Sequence, residues 1–184
     1  GKYAVDYIKE NFPDGCKLAI IGDSNYEIGI ARCDGFKEAL KELIDDETVE
    51  IVNEQDAELQ EEGLDITEQI LTANPDVQMI WCWNQTSLLG CAAALQNAGK
   101  SDIVLMGTDM SVELAKDMQS DDITLQAITT QMPYDMGYQA VENAVKAVKG
   151  EDVEKEVMIP TYTYTKENMD EIQTYIDEHQ DLVG

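Results

Sequence analysis

An apolar run, Leu18-Ala19-Ile20-Ile21, leads directly into Gly22-Asp23-Ser24, and a serine on a turn after a strand is one way an enzyme presents a nucleophile. Such a serine needs a histidine base oriented by a carboxylate. The sequence holds one histidine, His179, within Asp177-Glu178-His179, and this is not the DxxH spacing that would pair with such a serine. Asp23-Ser24 reads equally well as a polar turn, so no catalytic residue is expected. His179 lies on a polar terminal segment and is expected at the surface. Cys16, Cys33, Cys82 and Cys91 have neither CxxC spacing nor histidine partners, which argues against a zinc site or a dithiol redox centre. Cys82 in an apolar strand and Cys91 in an Ala-rich helix read as small buried hydrophobes, although an even count permits a disulfide. No metal and no cofactor are expected. Trp81 and Trp83, two apart on a strand, share one face, where core packing is favoured over stacking on a ligand.

The 38 acidic and 12 basic residues give a formal net charge of -26. A field of that sign repels phosphate backbones and anionic lipid heads, so nucleic acid is excluded as a partner. The acidity is read as a solvated exterior. No apolar stretch approaches the ~20 residues that span a bilayer. The sequence opens at Gly1-Lys2-Tyr3 without Met and passes at once into a helical pattern, as expected of an excised piece of a longer protein whose leader lies upstream.

The elements that position these residues alternate between strand-length apolar runs and segments of helical period, which points to successive βα units on a parallel sheet. Strands are predicted at 17–21, 48–53, 77–83, 102–107 and 123–129, and helices at 2–11, 29–44, 62–73, 85–98 and 111–119. Two of the strands are apolar almost throughout, as when helices cover both faces of a sheet. The fold class is therefore α/β, a doubly wound parallel sheet in three α/β/α layers. Ligands of such sheets bind beyond the carboxyl ends of the strands, where strand order reverses. After Thr130 the pattern changes. Pro133 opens a helix that runs to Lys149 and closes at Gly150, followed by a short β-like segment at 157–159 and a polar helix around 166–179. Nothing in the preceding core obviously requires these pieces.

Five segments resemble, in order, motifs of the ribose-type branch of the type I periplasmic binding proteins. Arg32-Cys33-Asp34-Gly35-Phe36 is similar to RxxGF, and Leu71 to Val77 to the LxxxPDV entry into a strand. Asn84 to Leu95 resembles NDxxAxGAxxAL. Ala98-Gly99 through Met106-Gly107-Thr108-Asp109 resembles AGxxxVxVxGFD, and Thr129 to Gly137 resembles TIxQxPxxxG. The resemblance implies that 1–130 is the C-terminal ligand-binding lobe and that 131–184 holds a hinge crossing, a helix and a tail that pack partly on an N-terminal lobe. It also implies a small polar, sugar-like solute bound between lobes, handover to the membrane permease of an ABC transporter, and a periplasmic or extracellular location with membrane anchoring. Helix 133–149 is left either on its own protein or exchanged with a second copy of the chain in a dimer.

Carried over position by position, the implied ligand contacts are Asn84, Asp109 and Gln131, each at a predicted strand end. A carboxylate accepts two hydroxyl bonds, and each amide both donates and accepts. The same residues also suit a helix N-cap at Asn84, an Asx turn at Asp109 and an exposed Gln131. Three positions depart from the pattern. Ile30 stands where the family carries a ligand-binding Arg, Glu58 where it carries an aromatic ring, and Thr108 where Phe precedes the Asp. A carboxylate at Glu58 would favour hydroxyl-rich, amino or cationic ligands. Arg32 is expected to make a structural ion pair or a helix-end contact rather than touch solute. Two other uses share features of this sequence: the effector or sensor domain of a LacI-type regulator or signalling receptor, which has the same fold, and more remotely an SGNH-type hydrolase built on Ser24.

Overall fold

A computed structural model describes residues 1–182. Six strands form one sheet in the order β2-β1-β3-β4-β5-β6. They are β1 (Cys16–Gly22), β2 (Val49–Asp56), β3 (Met79–Cys82), β4 (Val104–Thr108), β5 (Thr124–Thr130) and β6 (Tyr162–Thr165). The first five are mutually parallel, and β6 returns antiparallel along β5. The helices are α1 (Lys2–Asn11), α2 (Glu27–Ala39), α3 (Lys41–Asp45), α4 (Gln60–Ala73), α5 (Gln85–Ala98), α6 (Val112–Gln119), α7 (Pro133–Val148) and α8 (Met169–His179). Buried residues fall into two clusters, one on each face of the sheet. α1, α2 and α3 cover one face through Ile8, Cys33, Phe36 and Leu43. α4, α5, α6 and α8 cover the other through Ile70, Leu88, Leu114 and Ile172. This is the expected three-layer, doubly wound arrangement.

Covering both faces explains why β3 is buried at all four positions, Met79 to Cys82, and why its sequence does not alternate. Trp81 stacks on Phe36 at 4.4 Å between centroids, so it packs in the core as expected. The four cysteines are buried free thiols; burial pushes the Cys16 thiol up to about 12, which leaves it unreactive.

Four expectations need correction. The helix predicted at 29–44 starts at Glu27 and breaks at Leu40, where α3 turns Leu43 into the core. The last strand is β6 and not 157–159; that run is largely exposed and unpaired, because the pairing edge of β5 is taken by Tyr162 to Thr165. The terminal helix begins at Met169. The tail is also needed by the core, since Ile172 and Ile176 are buried against it and Gln126, on β5, donates to Tyr3 Oη and Glu167 at 2.9 Å each. α7 behaves differently. None of its residues is buried, and Tyr134 and Val148 are 81% and 90% exposed.

Candidate functional site

The chain order 2-1-3 places β1 between β2 and β3, so the connections leaving β1 and β3 go to opposite faces and open a crevice at their carboxyl ends. Into it come the ends of β3, β4 and β5, carrying Asn84, Asp109 and Gln131. Gln131 Nε2 donates to Asp109 Oδ1 at 3.3 Å. Asp109 is gripped by Arg32, with Nη1 to Oδ2 at 2.6 Å and Nη2 to Oδ1 at 3.0 Å, a bidentate fork that fixes the plane of the carboxylate. The same Nη1 reaches the Trp83 carbonyl at 2.8 Å and Thr108 Oγ1 at 3.2 Å, and Thr108 in turn donates to the Trp83 carbonyl. Arg32 therefore ties β3 and β4 together at the floor of the crevice. Its guanidinium also sits 5.9 Å from the Trp83 ring centroid, within cation–π range.

Local structure accounts for each placement. Asp109 has φ +66°, in the left-handed region that Asp tolerates better than most residues, and its N–H donates to Thr129 O at 2.9 Å. That conformation turns the carboxylate back toward α2. Asn84 is the N-cap of α5: Oδ1 accepts from Ser87 N at 2.8 Å and from Ser87 Oγ at 2.7 Å. The capping role and a place in the crevice coexist, because Nδ2 points the other way and donates to the Glu58 carbonyl at 3.0 Å.

The loop after β2 is stitched to the loop after β3. Trp83 Nε1 donates to the Ala57 carbonyl at 2.7 Å, and Thr86 Oγ1 joins Asn84 on the Glu58 carbonyl. From the other side, Glu62 accepts the backbone N–H groups of Glu58 and Leu59 at 2.9 and 3.1 Å, and these two donors hold its carboxyl below the usual range. The backbone of Glu58 is thus fixed, while among the described residues its carboxylate has no recorded hydrogen-bond or ion-pair partner.

Of the residues expected at the site, Asp109 and Gln131 share one hydrogen-bonded network with Arg32 and the Trp83 carbonyl, whereas the Asn84 side chain bonds to Ser87 and the Glu58 carbonyl and adjoins that network only as the residue after Trp83. Glu58 is reached from Asn84 through its backbone. Thr108 belongs to the floor rather than the open face, and Ile30 is exposed on α2, two residues from Arg32, with no contact tying it to the network. Arg32 does make the expected ion pair, but with a crevice residue, and its place in the site is the feature sequence reasoning missed. The RxxGF motif was the signal that pointed to it. Beside Gln131 opens a cavity of about 420 Å3 lined by Met110, Tyr134, Tyr164, Tyr175 and His179. His179 is not free at the surface there; it stacks on Tyr175 at 4.1 Å. Ser24 donates to Asp56 on the β2 side of the sheet, whereas His179 sits on α8 beyond β4. Among the described residues no serine and histidine meet.

The sequence profile of the periplasmic binding protein domain matches residues 1–152. The chain belongs to the periplasmic binding protein family. Within it, the chain is 33% identical over 156 residues to the ribose import binding protein RbsB of Escherichia coli, covering 84% of this chain and 51% of that protein. It is 34% identical over 139 residues to the D-allose-binding periplasmic protein of the same organism, covering 74% and 43%. The fold is also that of the periplasmic binding component of the arabinose ABC transporter from Shewanella sp. ANA-3, with a TM-score of 0.82 at 22% identity over 96% of this chain and 60% of that one. This member of the family therefore spans about half the length of the relatives it matches.

Proposed function

We propose that this chain is the C-terminal half of a non-catalytic solute receptor that holds a sugar or similar small polar molecule between two lobes and delivers it to an ABC-transporter permease. One observation carries the reading: polar side chains ending β4 and β5 meet in one hydrogen-bonded network with Arg32, which also holds the Trp83 carbonyl at the end of β3, next to Asn84. Asn84, Asp109 and Gln131 are the proposed solute contacts. Arg32 joins them, supplying donors and fixing the Asp109 carboxylate. Ile30, Glu58 and Thr108 line the same end of the sheet and set it apart from a ribose pocket. The relatives, which include an import binding protein for ribose and a periplasmic protein for allose, support transport over transcriptional regulation and a periplasmic location; an extracellular location and anchoring of the whole protein are further parts of the proposal.

On this reading residues 1–130, completed by β6 and α8, form the solute-binding lobe, the turn at Gln131 is a hinge crossing, and the apolar side of α7 belongs against the other lobe. A second copy of the chain would be the alternative partner of α7. Half of the solute contacts and the closing motion then come from outside this chain. Titration calorimetry with a monosaccharide panel, run on this chain and on the protein that includes the other lobe, tests it. Micromolar or tighter binding is expected of the two-lobed protein, and at most weak binding of this chain. Equally tight binding by both removes the two-lobe account, and no binding of any monosaccharide by the longer protein removes the receptor reading.

A further inference from the structure

The sheet sorts the four buried cysteines into separate places. Side chains alternate along β3: Met79 and Trp81 face the cluster covered by α1 and α2, while Ile80 and Cys82 face the cluster covered by α4, α5 and α6. On α5, Leu88, Cys91, Ala92 and Leu95 recur at helical spacing and form the stripe turned to that same cluster. Cys82 and Cys91 therefore meet between a strand and the helix that covers it. Their side chains lie within hydrogen-bond reach of each other, and both are fully buried. The other two cysteines belong to the opposite face. Cys16 begins β1, whereas the Cys33 sulfur lies 2.8 Å from where a Cβ on Gly22 would stand, at the end of that strand. The length of β1 separates them by about 20 Å, far beyond the Cα separation of about 4–7 Å that a disulfide spans.

We propose that Cys82 and Cys91 join as a disulfide when the protein folds outside the reducing cytoplasm; this rests on the periplasmic location proposed above, since paired thiols oxidise in that compartment. The oxidant is itself a disulfide, such as glutathione disulfide. One cysteine thiolate attacks it, forming a mixed disulfide and releasing one thiolate. The second cysteine, as its thiolate, attacks the protein sulfur of that mixed disulfide and releases the other. The protein gives up two protons and two electrons, and the oxidant leaves as two thiols. Burial pushes the Cys82 thiol well above its usual range, and the Cys91 thiol beside it adds to the shift. The folded, reduced pair is therefore inert, and the bond forms during folding, before the cluster closes. It has a role in the proposed site, because it closes a ring through Trp83, whose carbonyl accepts from Arg32, and Asn84, which caps α5. The turn that presents a solute contact is thereby pinned to the core.

The test is a site-by-site thiol map of the two-lobed protein, produced once with a grafted periplasmic export leader and once under its own N-terminal sequence. Each preparation is denatured in iodoacetamide without reductant and digested with chymotrypsin, which cuts between the two cysteines after Trp83. In both, Cys16 and Cys33 are expected alkylated, and Cys82 and Cys91 unalkylated and joined in a peptide pair that reduction separates. If the protein with the grafted leader has both thiols free, or has either linked to another cysteine, the pairing is overturned. A linked grafted form beside a cytoplasmic, unlinked native form overturns the location, and with it the oxidised state in service, but not the pairing. Refolded with and without reductant, the parent is expected to differ by about 5 °C in thermal midpoint, and Cys91→Ala not at all. The same difference in both overturns the assignment to this pair.

Discussion

Asp109 holds the crevice floor through two features that a single substitution separates. Its carboxylate is gripped at both oxygens by Arg32, and its backbone sits at φ +66°. The pair is partly buried, with side chains 17% and 26% exposed, so its loss lies between the small effect of a surface pair and the several kcal/mol of a buried one. Asp109→Asn keeps the shape and the tolerance of left-handed backbone and is expected to lower unfolding free energy in urea by about 1 kcal/mol. Asp109→Ala also strands the guanidinium and places a Cβ-bearing apolar residue in a disfavoured conformation, and about 2–3 kcal/mol is expected. Equal losses for the two would show that the backbone and ion-pair contributions are not what hold the floor. That Asn84, Asp109 and Gln131 follow neighbouring strand ends was legible because they sit inside ordered motifs. The partner of Arg32 was not, since it lies 77 residues away and nothing in local spacing encodes which carboxylate a folded sheet brings to it.

α4 and α5 pack closely enough that their backbones nearly touch, and this contact sets the two loops that carry Glu58 and Asn84. A Cβ on Gly90 would lie 2.1 Å from the Gln60 carbonyl oxygen and 2.7 Å from Leu64 N, and one on Gly63 would lie 2.5 Å from the Ser87 carbonyl oxygen. These neighbours are backbone and cannot rotate aside. Helix propensity favours Ala over Gly by up to about 1 kcal/mol, but overpacking against a fixed neighbour costs about 1–3 kcal/mol, so the steric effect wins. Gly90→Ala is expected to lower the thermal midpoint by several degrees. Gly137→Ala, on α7 where no atom lies within 4 Å, is expected to raise it slightly. A rise in both would mean that α4 and α5 separate without loss. Element identity was readable from periodicity in the first five strands, whose apolar runs are long and bounded by turns. β6 escaped because an edge strand is only partly covered: Tyr162 and Tyr164 share one face, yet only Tyr164 packs against the core while Tyr162 stays exposed, and the neighbouring Val157-Met158-Ile159 run is the more apolar. No residue type at Leu40 marks the break between α2 and α3.

For the whole molecule, one helix stands apart from an otherwise well-packed lobe. α7 carries Met136, Tyr138, Val141, Val145 and Val148, all exposed, whereas α5, two residues shorter, buries eight of its residues. The sequence foretold this difference in kind, because the pattern after Pro133 had no obvious seat in the preceding core. It did not foretell that β6 and α8 would return to the lobe, since docking of Ile172 and Ile176 depends on a groove formed by residues far away in sequence. A helix of 16 residues none of which is buried draws little of the tertiary packing that stabilises most protein helices, and its opening free energy should sit near zero. Amide hydrogen exchange on this chain is therefore expected to find residues 136–148 exchanging at least a hundredfold faster than 88–95 of α5. Adding the second lobe should bring the two segments to comparable protection. Protection of α7 in this chain alone that strengthens with protein concentration would point instead to a second copy lying on its apolar side, and protection independent of concentration would mean that the helix is seated on its own lobe and that the other lobe is not what its apolar side is built to meet.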